Sequence, residues 1–525
     1  MTTHPVLIGG EWTASTGTET FQASNPTTAE PLPDLFPVSP WGEIEQAIHA
    51  AAEAAKLMRG WPGARFAAFL EKYADRIDAR SEELATTANL ETALPKDGRL
   101  AGIELPRTTN QLRLAAAAAR EGTWATATID TATNIRAMYG PIGPVVVFGP
   151  NNFPFAFNGV SGGDFAAAIA AGNPVIAKGH SSHPNTTRIF AEEALQAALE
   201  TDMPPALVQL IYRCDHTDGA KLVSHPLMGA TGYTGARSAG LYLKEAADKV
   251  GKPIYLELSS INPIFVLPGA LEERCQDLAE EFAGSCLMGT GQFCTNPGVV
   301  VLPAGEAAEE FIAAVTEKFN SAPVGTLLGE GVQHSMASGI FALQSAGAHV
   351  IAGGDSGGGS GYSHQNTLLK VDGAKFLADP EGLQTEAFGN CSLLVIAEDI
   401  DEMTAIADSL EGNLTGAIYS DTGGCDDDVY DQLAAAVRPH VGRLLNDKMP
   451  TGVAVSSAMN HGGPFPATGH PVFTAVGIPA SIHRFSMLQC YDNIRPHRLP
   501  LALQDQHPGG GMWRLVDGSW SQADV

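Results

Sequence analysis

The run Val145-Val146-Val147-Phe148, bounded by Pro144 and Gly149, is apolar at every position. A strand with no polar face needs cover on both sides, which a parallel sheet between two helical layers supplies. The chain around it keeps that rhythm: helical spacing over 160–171, the strand Val175-Ile176-Ala177-Lys178, a second helical stretch over 188–200, then Leu207-Val208-Gln209-Leu210-Ile211. Such strand–helix alternation predicts an α/β fold with a doubly wound parallel sheet. The dinucleotide fingerprint GxGxxG is absent, and Gly232-Tyr233-Thr234-Gly235-Ala236-Arg237-Ser238-Ala239-Gly240 stands in its place as strand end, glycine turn and helix start. Before this region, residues 6–40 read as short strands and turns, and 40–120 as helices with apolar residues at i, i+3 and i+4. Residues 124–140 alternate like a hairpin. After Asn262 a second α/β segment runs to about residue 480.

Three residue types in this frame carry chemistry. Cys294 lies in Gly291-Gln292-Phe293-Cys294-Thr295-Asn296-Pro297-Gly298, a turn that presents a thiol, whereas Cys286 sits beside Leu287-Met288 as a packed cysteine would. A nucleophilic cysteine needs backbone N–H groups and partial exposure to hold a thiolate. Glu257 is a carboxylate set in the apolar run Ile254-Tyr255-Leu256-Glu257-Leu258. Burying it is expensive unless it is ion-paired or chemically employed, and the residues alone leave both readings open. Asn152, in Gly149-Pro150-Asn151-Asn152-Phe153-Pro154, is either a turn-former or an amide donor for an oxyanion. Thiol, base and amide together describe acyl chemistry on an aldehyde.

Asn152-Phe153-Pro154, Glu257-Leu258, Gly291-Gln292-x-Cys294 and Glu386-Ala387-Phe388-Gly389 fall in the order of the signature motifs of the aldehyde dehydrogenase superfamily, which the chain resembles from about Val6 to about Pro500. Ser259-Ser260-Ile261-Asn262-Pro263 and His461-Gly462-Gly463-Pro464-Phe465 are most similar to the branch of bacterial α-ketoglutaric semialdehyde and NADP-dependent fatty aldehyde dehydrogenases. The resemblance implies a dinucleotide-binding domain over 1–123 and 144–262 and a catalytic domain over 263–483. It further implies a β oligomerisation arm over 124–143 and 484–505, with 506–525 as a tail. Cys294 would attack the aldehyde, Asn152 would stabilise the oxyanion, hydride would leave to nicotinamide, and Glu257 would activate water on the thioester.

The cofactor set implied by the resemblance is Lys178, Ser181, Thr234, Gly235, Gly240, Glu386 and Phe388, with Arg213 either a phosphate partner or an ordinary solvated arginine. Ser181 stands where NAD-preferring members commonly carry a glutamate, so NADP is favoured and NAD remains acceptable. Asn390 replaces a usual proline. The substrate tunnel is expected from Phe153, Phe155, Phe293 and Phe465, with Arg107 and Arg113 as candidate anchors for a distal carboxylate and His461 near the thiol or nicotinamide. The expected reaction is oxidation of α-ketoglutaric semialdehyde to α-ketoglutarate. A medium-chain aliphatic aldehyde is the alternative substrate; a coenzyme A-acylating enzyme and a catalytically silent binding protein are further rivals.

Charge narrows the partners. With 58 acidic against 31 basic residues the net charge is −27, which disfavours nucleic acid and anionic membrane surfaces. Seven cysteines show no CxxC or Cys/His pairing, so no metal site is expected and a reducing cytoplasm fits. No signal peptide or uninterrupted apolar span is evident. A homodimer or homotetramer acting on a small-molecule aldehyde is the resulting expectation.

Overall fold

The computed structural model describes residues 3–525. Val145–Phe148 lies inside a seven-stranded sheet, flanked by Ala230–Thr234 on one side and Val175–Lys178 on the other. Val208–Ile211 and Ile254–Glu257 extend the parallel part, and Val6–Ile8 and Glu11–Thr13 add an antiparallel edge. Sequential strands therefore leave Val145–Phe148 in opposite directions, which opens a crevice at the strands' carboxyl ends. The helix Gly163–Ala170, whose residues are all buried, covers one face of this sheet with alanines small enough for close approach.

A second seven-stranded sheet follows the order His349–Ala352, Thr367–Asp372, Cys391–Ala397, Val299–Pro303, Ile264–Val266, Asn413–Tyr419, Val441–Asn446. All its neighbours are parallel except the first pair. The short segment between Ile254–Glu257 and Ile264–Val266 joins the two sheets. It places the carboxyl ends of the first sheet beside turns that enter strands of the second, including the Cys294 turn before Val299–Pro303 and the Glu386 loop before Cys391–Ala397.

The hairpin over 124–140 is present as Thr128–Asp130 paired with Ile135–Pro141, and Ser486–Asp492 continues it in register. Residues 506–525, expected to be a tail, instead supply two strands of this sheet. Arg514–Val516 pairs in parallel with Thr128–Asp130 and turns back into Ser519–Ser521. Arg514 explains the difference: it is fully buried and donates to the carbonyls of Gln504 and Ala523, which ties the terminus down. Among the described residues no helix is long and apolar enough to cross a membrane.

Candidate active site

Cys294, Glu257 and His461 meet at the seam between the two sheets. His461 Nε2 lies 3.4 Å from Cys294 Sγ and 2.8 Å from Glu257 Oε1. His461 and Glu257 are buried, whereas Cys294 is partly open to a cleft. One ring nitrogen thus faces both groups, and it is the atom through which a proton can pass between sulfur and carboxylate. The tautomer of His461 decides which contact it donates to. Glu257 Oε2 is buried without a hydrogen-bond partner. Its lone pairs remain available to a reacting molecule.

The surroundings of Cys294 oppose a free thiolate. Burial pushes the Cys294 thiol well above its ordinary value, the Glu257 carboxylate raises it further, and Arg107 pulls it back. Ionisation therefore requires the proton to move to a neighbour, and His461 with Glu257 are the groups in reach.

The turn carrying Cys294 is held from the connecting segment. The Asn262 amide donates to the carbonyls of Cys294 and Asn296, both at 2.9 Å, and Gly298 N–H donates to Ile261 O at 2.8 Å. Gly291 sits at φ +66°, and a Cβ there would come within 2.1 Å of Gly389 O. Only glycine allows the Cys294 turn to lie so close to the Glu386 loop. Asn152 donates one amide hydrogen to Gln292 O at 3.0 Å, leaving its second for another acceptor. Asn390 fixes the end of the Glu386 loop by donating to His364 O and Asn366 Oδ1.

A cleft of about 1020 Å³ runs from Phe21–Ser24, Ser181 and Arg213 past Thr234 and Gly235 to Glu386, Phe388 and Cys294. Burial lifts the Glu386 carboxyl to about 7 despite hydrogen bonds from Ser260 N–H and the Ser259 hydroxyl. No carboxylate stands at Ser181, and Arg213 is exposed at that end. Length, a glycine turn before the helix Arg237–Asp248, and a carboxyl near the sulfur fit a dinucleotide laid along the cleft. Lys178 ends its strand just before the wall formed by His180 and Ser181, with burial lowering its ammonium. Gly240 does not line the cleft. A Cβ there would meet Leu258 Cδ2 at 2.5 Å, so this glycine serves helix–strand packing.

Beside Cys294, Phe153, Phe157 and Phe293 form an apolar cluster with Val453, Val455, Met459 and Val476. Phe157 stands edge-on to His461 at 5.8 Å. Phe155, expected here, instead faces the main core against Phe190 at 5.4 Å, since the chain turns after Pro154. Phe465 is also displaced: it is 54% exposed under Arg237. Arg107 and Arg113 divide. Arg113 is a surface residue paired with Asp75 and Asp78, because six positions along a helix turn a side chain by about 240°. Arg107 lies over Phe153 and Phe157, at 5.6 and 5.4 Å, with Nε and Nη2 buried and unpartnered. Burial lowers its guanidinium, opposed by Glu104, Cys294 and Glu257.

Sequence reasoning missed Phe157, Arg99 and Glu104. The last two sit in wider π-helical turns over Lys96–Glu104. Glu104 is fully buried, accepts the N–H groups of Phe155 and Ala156 at 2.9 Å each, and pairs with Arg99 at 2.6 Å. Arg99 in turn lies over the Phe153 ring at 4.4 Å. A carboxylate between Ile103 and Leu105 is the signal that marked Glu257, and it would have found Glu104 too.

A two-sheet α/β body with a cysteine, a carboxylate and an amide converging at the end of a dinucleotide-length cleft defines an oxidoreductase with a cysteine at its centre. The chain belongs to the aldehyde dehydrogenase family, whose sequence profile, described as "Aldehyde dehydrogenase family", matches residues 12–452. It is similar to "Alpha-ketoglutaric semialdehyde dehydrogenase 2" of Azospirillum brasilense, at 37% identity covering 98% of this chain and 99% of that one. It is also similar to "Alpha-ketoglutaric semialdehyde dehydrogenase" of Acinetobacter baylyi, at 35% identity covering 98% of each. Among solved structures, PnpE in complex with nicotinamide adenine dinucleotide matches with a TM-score of 0.80 at 22% identity, covering 94% of this chain and 99% of that one. That likeness concerns the fold.

Replacing Glu104 by alanine is expected to leave Arg99 uncompensated and two loop N–H groups unpaired. The expected loss is about 3–5 kcal/mol of stability, read as a lowered denaturation midpoint together with reduced turnover. An unchanged midpoint and turnover would show that Glu104 does not hold the Asn152 loop.

Proposed function

We propose that this aldehyde dehydrogenase oxidises α-ketoglutaric semialdehyde to α-ketoglutarate, with Cys294 as nucleophile and NADP favoured over NAD. The observation that carries the substrate is Arg107, a buried guanidinium with two unpartnered nitrogens among aromatic rings beside the thiol. An unpaired buried cation is a large penalty, and a distal carboxylate would relieve it with charge-assisted hydrogen bonds. The two semialdehyde dehydrogenases above support the same reading.

In this mechanism His461 and Glu257 take the proton of the Cys294 thiol, and the sulfur attacks the aldehyde carbon. The resulting oxyanion accepts from the free amide hydrogen of Asn152 and from Cys294 N–H; losing one such donor costs ~3 kcal/mol of barrier. Ser181, Arg213, Thr234, Gly235, Glu386 and Phe388 would hold a nicotinamide dinucleotide, which supplies the hydride acceptor. The proton taken from the thiol passes to solvent, which frees Glu257 to accept a proton from water. The resulting hydroxide adds to the thioester carbonyl, and the carbon–sulfur bond breaks to release the acid and the Cys294 thiolate. The absence of a carboxylate at Ser181 and the nearby Arg213 support a 2′-phosphate at that end. His461 beside Glu257 supports the water-using route over acyl transfer to coenzyme A.

The apolar walls of Phe153, Phe157 and Phe293 support a second reading, a medium-chain aliphatic aldehyde. Exposed Met487 and Leu488 on the arm support association with a second copy of the chain, as a dimer or tetramer, and seven unpaired cysteines support a reducing cytoplasm.

Arg107→Leu is expected to lower kcat/KM for α-ketoglutaric semialdehyde at least ~10-fold, the size of a lost charged hydrogen bond, while hexanal oxidation holds or improves. Equal losses on both substrates would remove the anchor assignment. Glu257→Gln should give a burst of reduced cofactor without steady turnover, and wild-type turnover would contradict its assigned role. Ser181→Glu should shift the NADP/NAD ratio of kcat/KM towards NAD; an unchanged ratio would dismiss the cofactor argument.

A further inference from the structure

The ligand atoms of Glu257, Cys294 and His461 all lie within 4.8 Å of one another. Thiolate sulfur, imidazole nitrogen and carboxylate oxygen form a donor set suited to zinc, with a fourth position open to water. We propose that these three side chains bind Zn²⁺ and that occupation reversibly blocks the enzyme by engaging its nucleophile and its base together.

The spacing carries the argument. With Zn–S of about 2.3 Å and Zn–N and Zn–O of about 2.0–2.2 Å, tetrahedral ligands stand about 3.3–3.6 Å apart. Sγ and Nε2 are already 3.4 Å apart. Nε2 and Oε1, at 2.8 Å, must open by about 0.5 Å to admit the ion. A second observation is independent of these distances: Glu257 Oε2 is buried and unpartnered, on a residue only 5% exposed. Oε2 can ligate without giving up a hydrogen bond of its own, while Nε2 exchanges its contact with Oε1 for the ion. Entry is provided by the cleft onto which Cys294 and Glu257 open.

Binding is balanced by proton release: the thiol loses its hydrogen to solvent as Sγ coordinates, Nε2 offers its lone pair with the ring hydrogen on Nδ1, and the carboxylate binds ionised. Hard cations such as Mg²⁺ gain little from sulfur and nitrogen and should not compete. The proposal rests on the cluster's geometry and is independent of the aldehyde assigned above.

The test titrates Zn²⁺ into the chelator-stripped full chain against a chromophoric competitor, with Co²⁺ as spectroscopic probe. One zinc per chain, a thiolate-to-cobalt charge-transfer band, and EDTA-reversible protection of Cys294 from iodoacetamide are expected. Loss of a ligand should weaken binding at least ~10-fold in both His461→Asn and Glu257→Gln, whereas Cys425→Ser and Cys490→Ser, at exposed cysteines elsewhere, should change nothing. Unchanged zinc affinity in His461→Asn and Glu257→Gln would mean capture by a thiol alone and would overturn the proposal, as would loss of binding in the Cys425 or Cys490 variants. Glu257→Gln is nearly isosteric, so the readout survives if His461→Asn fails to fold.

Discussion

The amide of Asn262 is the constraint on which the site depends. It grips the carbonyls of Cys294 and Asn296, while its own oxygen accepts from Ser260 and Thr415. Asn413 in turn accepts the N–H groups of Ile261 and Asn262. The strand that ends in Glu257 therefore continues into the residues that clamp the Cys294 turn. The Glu257 carboxylate and the Cys294 sulfur are registered against each other through the short stretch from Glu257 to Asn262 and the hydrogen bonds of the Asn262 amide. Asn262 adopts φ +47°, a strained value for a residue with a side chain, and the contacts of its amide group offset that strain.

Much of the frame was legible because burial leaves a pattern in sequence. Val145–Phe148 is apolar throughout, Val175–Lys178 and Val208–Ile211 are apolar but for Lys178 and Gln209, and each is a parallel strand buried along all or nearly all of its length. Glu257 stood out as a charge among apolar residues, and the Cys294 turn by its glycines, asparagine and proline. His461 was named, but not its bridging contact, because the partners lie 167 and 204 positions away and only the fold brings them together. Glu104 carried the same visible signal as Glu257 yet serves the loop opposite. The aromatic assignments failed by a small phase error: Phe155 and Phe157 flank the same turn, and a kink after Pro154 sends the first into the core and the second towards the thiol. The reading of residues 506–525 as a tail failed because a short, polar terminal segment shows no periodicity, and its pairing partner lies far back in the chain.

The electrostatics sharpen the functional picture. A chain of net charge −27 repels anions at long range, yet Arg99, Arg107 and Arg443 gather near the aromatic cluster and the sulfur. Screening over about 8 Å at physiological salt separates the two scales, so the outer field need not govern what binds inside. Of the three, Arg99 is neutralised by Glu104 and Arg443 is engaged with the carbonyls of Pro450 and Gly452. Arg107 is the one whose hydrogen-bonding capacity is left unspent at two nitrogens.

The closing strands of the chain have a practical implication for anyone handling the protein. Ser519–Ser521 forms the outer margin of the same small sheet that bears Met487 and Leu488 at its opposite margin, with Trp520 half in solvent. Appending a purification handle after Val525 would load that margin, and deleting residues 514–525 would remove both strands together with Arg514, whose buried guanidinium holds the carbonyls of Gln504 and Ala523.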